Sequence, residues 1–304
     1  MFNKALRIGT RDSQLARLQA HMVVDLLEAS YLKTQLVAIK SAGDLNLTQP
    51  IYAMGIQGVF TKALDIALLE NRIDLAVHSL KDVPTQLPEG LTLGAVLERG
   101  SACDVLVQTH KTDLQQTSTI ATGSLRRKAQ WLHRYPHHHV VDLRGNVKSR
   151  MDKLFSSKWE GAIFAKAGLE RLELVGSYFQ ELKWMIPAPA QGAIGIVCRA
   201  DENELIKQLQ KIDHQPTRQC TDIERDFLRI LEGGCSAPIG ALAILVQDKI
   251  KFKGGVFSLD GQIAATTSKE VQMADGKNLA AQAAEEVLSK GGHQIMRTIK
   301  YSKE

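Results

Sequence analysis

The chain has 304 residues, enough for two or three domains that each bury their own core, which excludes a disulfide-stapled miniprotein. Hydrophobic residues make up 44% and charged residues 23%, an ordinary globular balance that excludes a disordered tail or low-complexity scaffold. The net charge of +5 is modest, but between Ala121 and Arg171 eleven Lys or Arg face four Asp or Glu, so the positive field is gathered in one segment.

Leu6 to Thr10 reads as a strand, and after Ser13 the residues Leu15, Leu18, Met22 and Leu26 recur at helical spacing. Gln35 to Lys40 alternates like a strand, Thr61 to Leu69 reads as a helix, and Ile73 to Val77 as a buried strand. The alternation continues with strands at Thr119 to Thr122, Val140 to Leu143 and Ala162 to Ala165. Between and after them come helices at Leu125 to Tyr135, Val147 to Phe155 and a short one beyond Ala165, which predicts α/β layering. A Pro- and Gly-containing connection, Trp184 to Gly195, leads into the apolar strand Ala193 to Cys198, which can return the chain to an earlier sheet. A long helix from about Pro216 carries Ile223, Phe227, Ile230 and Leu231 on one face and stops at Gly233-Gly234. Strands at Leu242 to Val246, Ile250 to Val256 and Gln262 to Thr267, then a helix near Asn278 to Leu288, predict a small α+β unit.

The longest clean apolar run, Ala241 to Val246, is far below the roughly 18 residues of a membrane span. Charges at Lys4, Arg7, Arg11 and Asp12 break any signal-peptide core, so the expected location is the cytoplasm. Cys103, Cys198, Cys220 and Cys235 form no CxxC pair. Cys235 sits in a loop between Gly233-Gly234 and Pro238 and is the candidate for covalent attachment, while the other three read as small buried hydrophobes. His137-His138-His139 follows a proline and reads as solvated, and no metal is assigned.

Arginines fall where strand ends meet helix starts: Arg11, Arg126, Arg127, Arg144, Arg150 and Arg171. In an open α/β sheet ligands bind outside the carboxyl ends of the strands, and guanidinium forks grip carboxylates. Each arginine alone can equally be paired with a surface acid; the set points to a polyanionic ligand. In AVHSLKDVP (Ala76 to Pro84) an apolar strand ends in a polar turn carrying Lys81 and Asp82, either a turn cap or a catalytic acid, and His78 reads as structural.

Together RIGTRDSQLA, AVHSLKDVP, SLRR, LRGNV, AGLERL, PAPAQGAIGIVCR and LEGGCSAPIG resemble the porphobilinogen deaminase family, in order, from Arg7 to beyond Gly240. The resemblance implies two α/β lobes similar to periplasmic binding proteins around a cleft, plus a small C-terminal α+β domain. Domain 1 would be 1–97 with 193–212, domain 2 would be 98–192, and domain 3 would be 213–304 with the cofactor cysteine. It implies stepwise condensation of four porphobilinogen molecules, with loss of ammonia, onto a dipyrromethane cofactor held by a thioether to Cys235, then hydrolytic release of hydroxymethylbilane. Asp82 would be catalytic. Ser13, Lys81, Ser124, Arg126, Arg127 and Arg144 would bind the cofactor, and Arg11, Arg144, Arg150 and Arg171 the substrate. A monomer that hands its product to uroporphyrinogen-III synthase is expected. Two departures from the family pattern stand out: Ile56 and Gln57 in the lid stretch GIQGVF, where glycine and lysine are usual, and Gly123 where a serine is usual, a change that adds backbone freedom. A competing reading is a two-lobed binding protein for a dicarboxylate or other small anion, without catalysis. Nucleic-acid binding ranks below both, because the basic residues are not interleaved with aromatics.

Overall fold

A computed structural model describes residues 4–40, 61–176, 178–231 and 237–301. The chain divides into two compact units, Met1–Gly100 with Gly192–Arg218, and Ser101–Gln191 with Gln219–Glu304. The lid stretch with Ile56 and Gln57, and Cys235 with the Gly233-Gly234 helix stop, lie outside the described residues.

In the first unit β1 (Leu6–Arg11), α1 (Gln14–Glu28), β2 (Thr34–Ile39), α2 (Lys62–Leu69), β3 (Leu75–Ser79) and β4 (Leu91–Val96) are joined by a returning strand, β10 (Ile194–Arg199), and α6 (Asn203–Leu209). The sheet order is β2-β1-β3-β10-β4. β1 runs parallel to β2 and β3, and β10 antiparallel to β3 and β4. The side-chain period of two explains the two faces. Leu6 and Ile8 of β1, with Leu75 and Val77 of β3, pack on Ala20, Val23 and Leu27 of α1 and Leu205 and Leu209 of α6. Gly9, on the opposite face, leaves room for Leu64 of α2 and Ile73, whose atoms would lie 2.9 and 2.3 Å from an added Cβ. β3 begins two residues later than the sequence predicts and runs on to Ser79, so its carboxyl end leads directly into a 3-10 turn, Leu80–Asp82.

The second unit begins with a sheet of the same design. Its elements are β5 (Asp104–Gln108), β6 (Thr119–Ala121), α3 (Leu125–Arg134), β7 (His139–Val141), α4 (Val147–Phe155), β8 (Gly161–Ala165), α5 (Lys166–Arg171) and β9 (Phe179–Glu181). Their strand order is β7-β6-β8-β5-β9. β6 is parallel to β7 and β8, and β5 is antiparallel to β8 and β9. Both sheets therefore have three parallel strands, an inverted fourth and a fifth in the original direction. Ile120, Ile163 and Leu106 pack on Trp131 of α3 on one face; Ala121, Ala162, Phe164 and Val107 pack on Met151 and Leu154 of α4 on the other.

Beyond α7 (Gln215–Leu231), the strands β11 (Ile239–Val246), β12 (Lys249–Phe257) and β13 (Ala264–Gln272) form an antiparallel meander. Cys220, Ile223, Phe227 and Leu231 of α7 line up at helical spacing against Ile250 and Phe252 of β12. Ala283 and Val287 of α8 (Leu279–Val287) and Ile295 of α9 (His293–Tyr301) close that core. A smaller cluster of Ala129, Ile186 and Phe257 joins this part to the second sheet, and His133 Nδ1 lies 2.7 Å from the Gly261 carbonyl.

Two readings of single residues need correction. Of the three consecutive histidines, His137 and His139 are exposed but His138 is buried. Its Nδ1 accepts from Trp131 Nε1 at 3.2 Å and its Nε2 lies 3.2 Å from the Leu114 carbonyl, and burial lowers its pKa. Cys103 is half-buried rather than buried, because it precedes β5 and sits beside the charged Glu181 and Lys166; Cys198 and Cys220 are buried as expected. Among the described residues no helix is long and apolar enough to cross a membrane.

Candidate active site

In the first unit the candidate residues sit at the carboxyl ends of β1 and β3. Arg11 ends β1, half-buried, and Ser13 is the N-cap of α1, its Oγ accepting from the Ala16 N–H at 3.3 Å. One turn on, the buried Gln19 donates through Nε2 to Ser79 Oγ at 2.9 Å, tying α1 to the end of β3. The turn after Ser79 then sets out Lys81 and Asp82, both half-buried. Among the described residues no hydrogen bond or ion pair engages the Asp82 carboxylate, so its acceptor lone pairs are uncommitted. His78 lies on the opposite face of β3 from Ser79, buried, and among the described residues its Nε2 has no hydrogen-bond partner. Burial, reinforced by the positive charge of Arg11, pushes its pKa down to about 4, so the imidazole is neutral at physiological pH. The structural reading of His78 thus acquires a chemical content, an uncharged ring next to the Arg11 charge.

In the second unit Ser124 is the N-cap of α3, its Oγ accepting from the Arg127 N–H at 3.4 Å, and Asn146 caps α4 in the same way through Ser149 at 2.9 Å. These capped helices point unpaired N–H donors toward the strand ends, where anions are favoured. Arg126 and Arg127 project from the first turn of α3 into the interior, onto Asp104 at the start of β5. Arg126 Nη1 donates to Asp104 Oδ2 at 2.7 Å and to the Ile186 carbonyl at 2.8 Å. Arg127 donates through Nε to Asp104 Oδ1 at 3.0 Å and through Nη1 to the Ile163 carbonyl at 2.9 Å, and its Nη2 lies 2.9 Å from the same Oδ1. Every nitrogen of the Arg127 guanidinium is engaged inside the protein. Those of Arg126 are not: Nε and Nη2 carry no partner among the described residues. Burial would raise the pKa of Asp104, but the charges of Arg126 and Arg127 and their hydrogen bonds outweigh it and hold the carboxyl far below the usual range.

Arg144 follows β7, and its carbonyl accepts from Lys153 Nζ at 3.0 Å; Arg150 Nε donates to the Gly145 carbonyl at 2.7 Å across a turn in which Gly145 has φ +115. Arg171 ends α5, where burial lowers its pKa. Gly123 has a different reason from the expected one. A Cβ there would come within 2.5 Å of the Leu143 carbonyl oxygen, so the glycine permits close approach of two backbone segments.

Asp104, Gln191, Gln130 and Gln19 went unrecognised as site residues in the sequence. Gln191 donates through Nε2 to Asp104 Oδ1 at 2.9 Å and to the Ala102 carbonyl at 2.8 Å; Gln130 donates through Nε2 to the Ile186 carbonyl at 2.9 Å and accepts its N–H at 2.7 Å. The one available signal was an acid opening the apolar run Asp104–Gln108, a residue with no reason to enter a buried strand unless cations wait there.

Comparison with known proteins follows the same lines. The family description "Porphobilinogen deaminase, dipyromethane cofactor binding domain" matches residues 6–207, and "Porphobilinogen deaminase, C-terminal domain" matches residues 218–289. Porphobilinogen deaminase of Synechococcus elongatus is 40% identical over 303 residues, covering 94% of this chain and 95% of its own. That of Geotalea daltonii is 40% identical over 303 residues, covering 97% and 95%, and that of Syntrophomonas wolfei is 39% identical over 300, covering 96% and 97%. Among solved structures the periplasmic VFT2 domain of Bordetella pertussis BvgS is 12% identical with a TM-score of 0.42, covering 68% of this chain and 86% of that one.

Proposed function

The chain belongs to the porphobilinogen deaminase family, enzymes that make hydroxymethylbilane for tetrapyrrole biosynthesis, and from that premise we propose that Asp82 is its catalytic residue and that Cys235 carries its cofactor. The overall reaction joins four porphobilinogen molecules head to tail, losing ammonia at each addition, and ends in hydrolytic release of the linear tetrapyrrole. Dipyrromethane, when bound, supplies the primer on which that chain is built. Its acetate and propionate groups suit the donor set present: guanidiniums at Arg126, Arg144, Arg150 and Arg171, Lys81, and the Ser13- and Ser124-capped helix starts.

The observation that carries the reading is the Asp82 carboxylate in the turn after β3, uncommitted among the described residues. When porphobilinogen loses ammonia, positive charge develops over the pyrrole ring and its methylene carbon. A fixed carboxylate beside the ring N–H stabilises that charge in the transition state and can accept the proton lost as aromaticity returns. A carboxylate already spent on an internal ion pair would do neither as well. The arginines do complementary work: each pyrrole brings two carboxylates, and their charge is neutralised by guanidiniums as water is displaced. Ser13 and Ser124 retain a hydroxyl hydrogen after capping their helices, so both can donate to a ligand carboxylate. Arg11 lies close enough to His78 for its charge to help keep that ring neutral. We assign the attachment to a loop of residues 213–304, and place the enzyme in the cytoplasm as a monomer whose product passes to uroporphyrinogen-III synthase.

The test is intact mass. Protein as purified should carry two pyrrole units, and incubation with porphobilinogen should add a ladder of single-pyrrole increments before free tetrapyrrole appears. Cys235→Ser should carry none and form no product. Unmodified wild-type protein that binds porphobilinogen without any mass change would support the small-anion receptor instead.

A further inference from the structure

Two buried guanidiniums share one buried carboxylate, an arrangement that leaves a cluster with an excess positive charge. Asp104 is 0% exposed, Arg126 6% and Arg127 5%, and neither arginine has a second carboxylate partner among the described residues. Burying charge is costly unless it is matched, so this excess is retained for a reason. The hydrogen bonds are also unequal. Oδ1 of Asp104 takes Arg127 Nε and Nη2 and Gln191 Nε2, whereas Oδ2 takes only Arg126 Nη1. Arg127 is thereby locked on all three nitrogens, while Arg126 is held by one corner, with the Ile186 carbonyl as a second stop, and its Nε–Nη2 edge remains open.

We propose that Asp104, steadied by Gln191, is a positioning residue that divides the adjacent arginines into a fixed support, Arg127, and a presented fork, Arg126, whose free edge takes a single carboxylate of the bound pyrrole chain. This rests on the assignment of Arg126 to ligand binding and deepens it. A guanidinium edge pairs with one carboxylate through two parallel hydrogen bonds, so the added anion brings the buried cluster to neutrality. The lowered pKa of Arg127, caused by burial and then opposed in part by Asp104, agrees with a cluster short of negative charge.

The test separates positioning from mere support of the fold. Four proteins are prepared without cofactor: wild type, Arg126→Met, Asp104→Asn, and Asp104→Asn/Arg127→Met. Each is incubated with porphobilinogen, covalent loading is followed by intact mass, and thermal midpoints are recorded alongside. Asp104→Asn leaves two unmatched buried charges, so its midpoint should fall and it should load slowly. The double variant removes one of those charges and should regain most of the midpoint, yet its Arg126 has lost its anchor. Its loading should remain slower than wild type by about tenfold or more, near Arg126→Met. Loading in the double variant that recovers along with the midpoint would overturn the positioning role while leaving Arg126 as a ligand residue. If Arg126→Met itself loads at the wild-type rate, the underlying assignment is wrong. Should the double variant fail to fold, Gln191→Leu, which keeps both ion pairs, is the remaining probe: slower loading at an unchanged midpoint supports the role, and wild-type loading overturns it.

Discussion

The sheets of Leu6–Arg199 and Asp104–Glu181 have the same strand directions in the same order, yet their strand ends are furnished differently: an acid, Asp82, stands with Arg11 and Lys81 in the first, and the candidate residues of the second are arginines with Ser124. In the first, the turn after the third strand in sheet order holds Asp82 and the serine-capped α1 opens with Gln14, Leu15 and Ala16. In the second, the equivalent positions hold Lys166 after β8, and Leu125, Arg126 and Arg127 after Ser124. One scaffold thus offers a carboxylate for a developing cation, with Arg11 and Lys81 in the same unit, and, in its second copy, guanidiniums for standing anions. The shared parts are structural: a serine N-cap, and six residues later a buried glutamine, Gln19 or Gln130, that ties the helix to the sheet or its flank. Backbone architecture is the constant, and the first turn beyond each strand is where chemistry is written.

If that division is right, the largest effect belongs to the acid. Asp82→Asn keeps the shape and size of the side chain, and since the carboxylate has no internal partner among the described residues, the thermal midpoint should barely change. Turnover should fall by about 10²–10³, the usual consequence of removing one preorganised group that stabilises transition-state charge. Steady-state kinetics and a melting curve on the same preparation check both halves. Normal turnover, or a large drop in stability, would return Asp82 to the role of a turn residue.

A smaller effect, carried by pH, belongs to His78. Its folded pKa of about 4 lies below the ordinary value of 6.5, so the unfolded chain binds a proton that the native protein refuses. Stability is therefore full above about 6.5 and declines as pH falls toward about 4, by on the order of 2–3 kcal/mol over the whole window. His78→Gln should flatten that slope in denaturant titrations at pH 7 and pH 5. In the second unit His138, whose pKa burial also lowers, acts in the same direction, whereas Asp104, with its pKa depressed, contributes its stability above the unfolded carboxyl value and loses it only in stronger acid. A slope unchanged in His78→Gln would show that other groups govern the acid limb.

What was legible in the sequence follows the physics of each feature. Helix α4 was read at its observed ends, because Asn146 caps it and its apolar spacing is regular; α3 was read to within a residue. The strands β4, β5 and β9 were missed, as was helix α6. β5 has five buried residues in a row, Asp104 to Gln108, so it has no alternation to detect, and β9 is three residues long. Helix α9 was hidden behind Gly291 and Gly292, which read as an ending; Gly291, at φ +101, makes a kink after which helix resumes. In the site, chain-local features came through: the turn with Lys81 and Asp82, and the serines ahead of helices. The link from Asp104 to Arg126 and Arg127 spans more than twenty residues in sequence, and no local pattern reveals which acid meets which base.

The smallest expected effect is also the sharpest comparison of the two scaffolds. Gln130 satisfies both the N–H and the carbonyl of Ile186, at 2.7 and 2.9 Å, inside the second unit, and its side chain is 2% exposed. Gln19, 3% exposed, meets only a side-chain hydroxyl, that of Ser79, which can rotate to another partner. Replacing each by Leu removes similar polar area, but Gln130→Leu strands a buried backbone N–H, whereas Gln19→Leu strands no backbone group. The expected loss is about 1–3 kcal/mol for Gln130→Leu and under ~1 kcal/mol for Gln19→Leu, measured by urea titration. The Ile186 carbonyl retains its bond from Arg126 Nη1 at 2.8 Å, so the larger loss should come from the N–H alone. Equal losses would mean that the glutamines are interchangeable struts and that the two sheets differ only in charge; the expected inequality means that the second also relies on its helix to hold the chain beyond β9 in place.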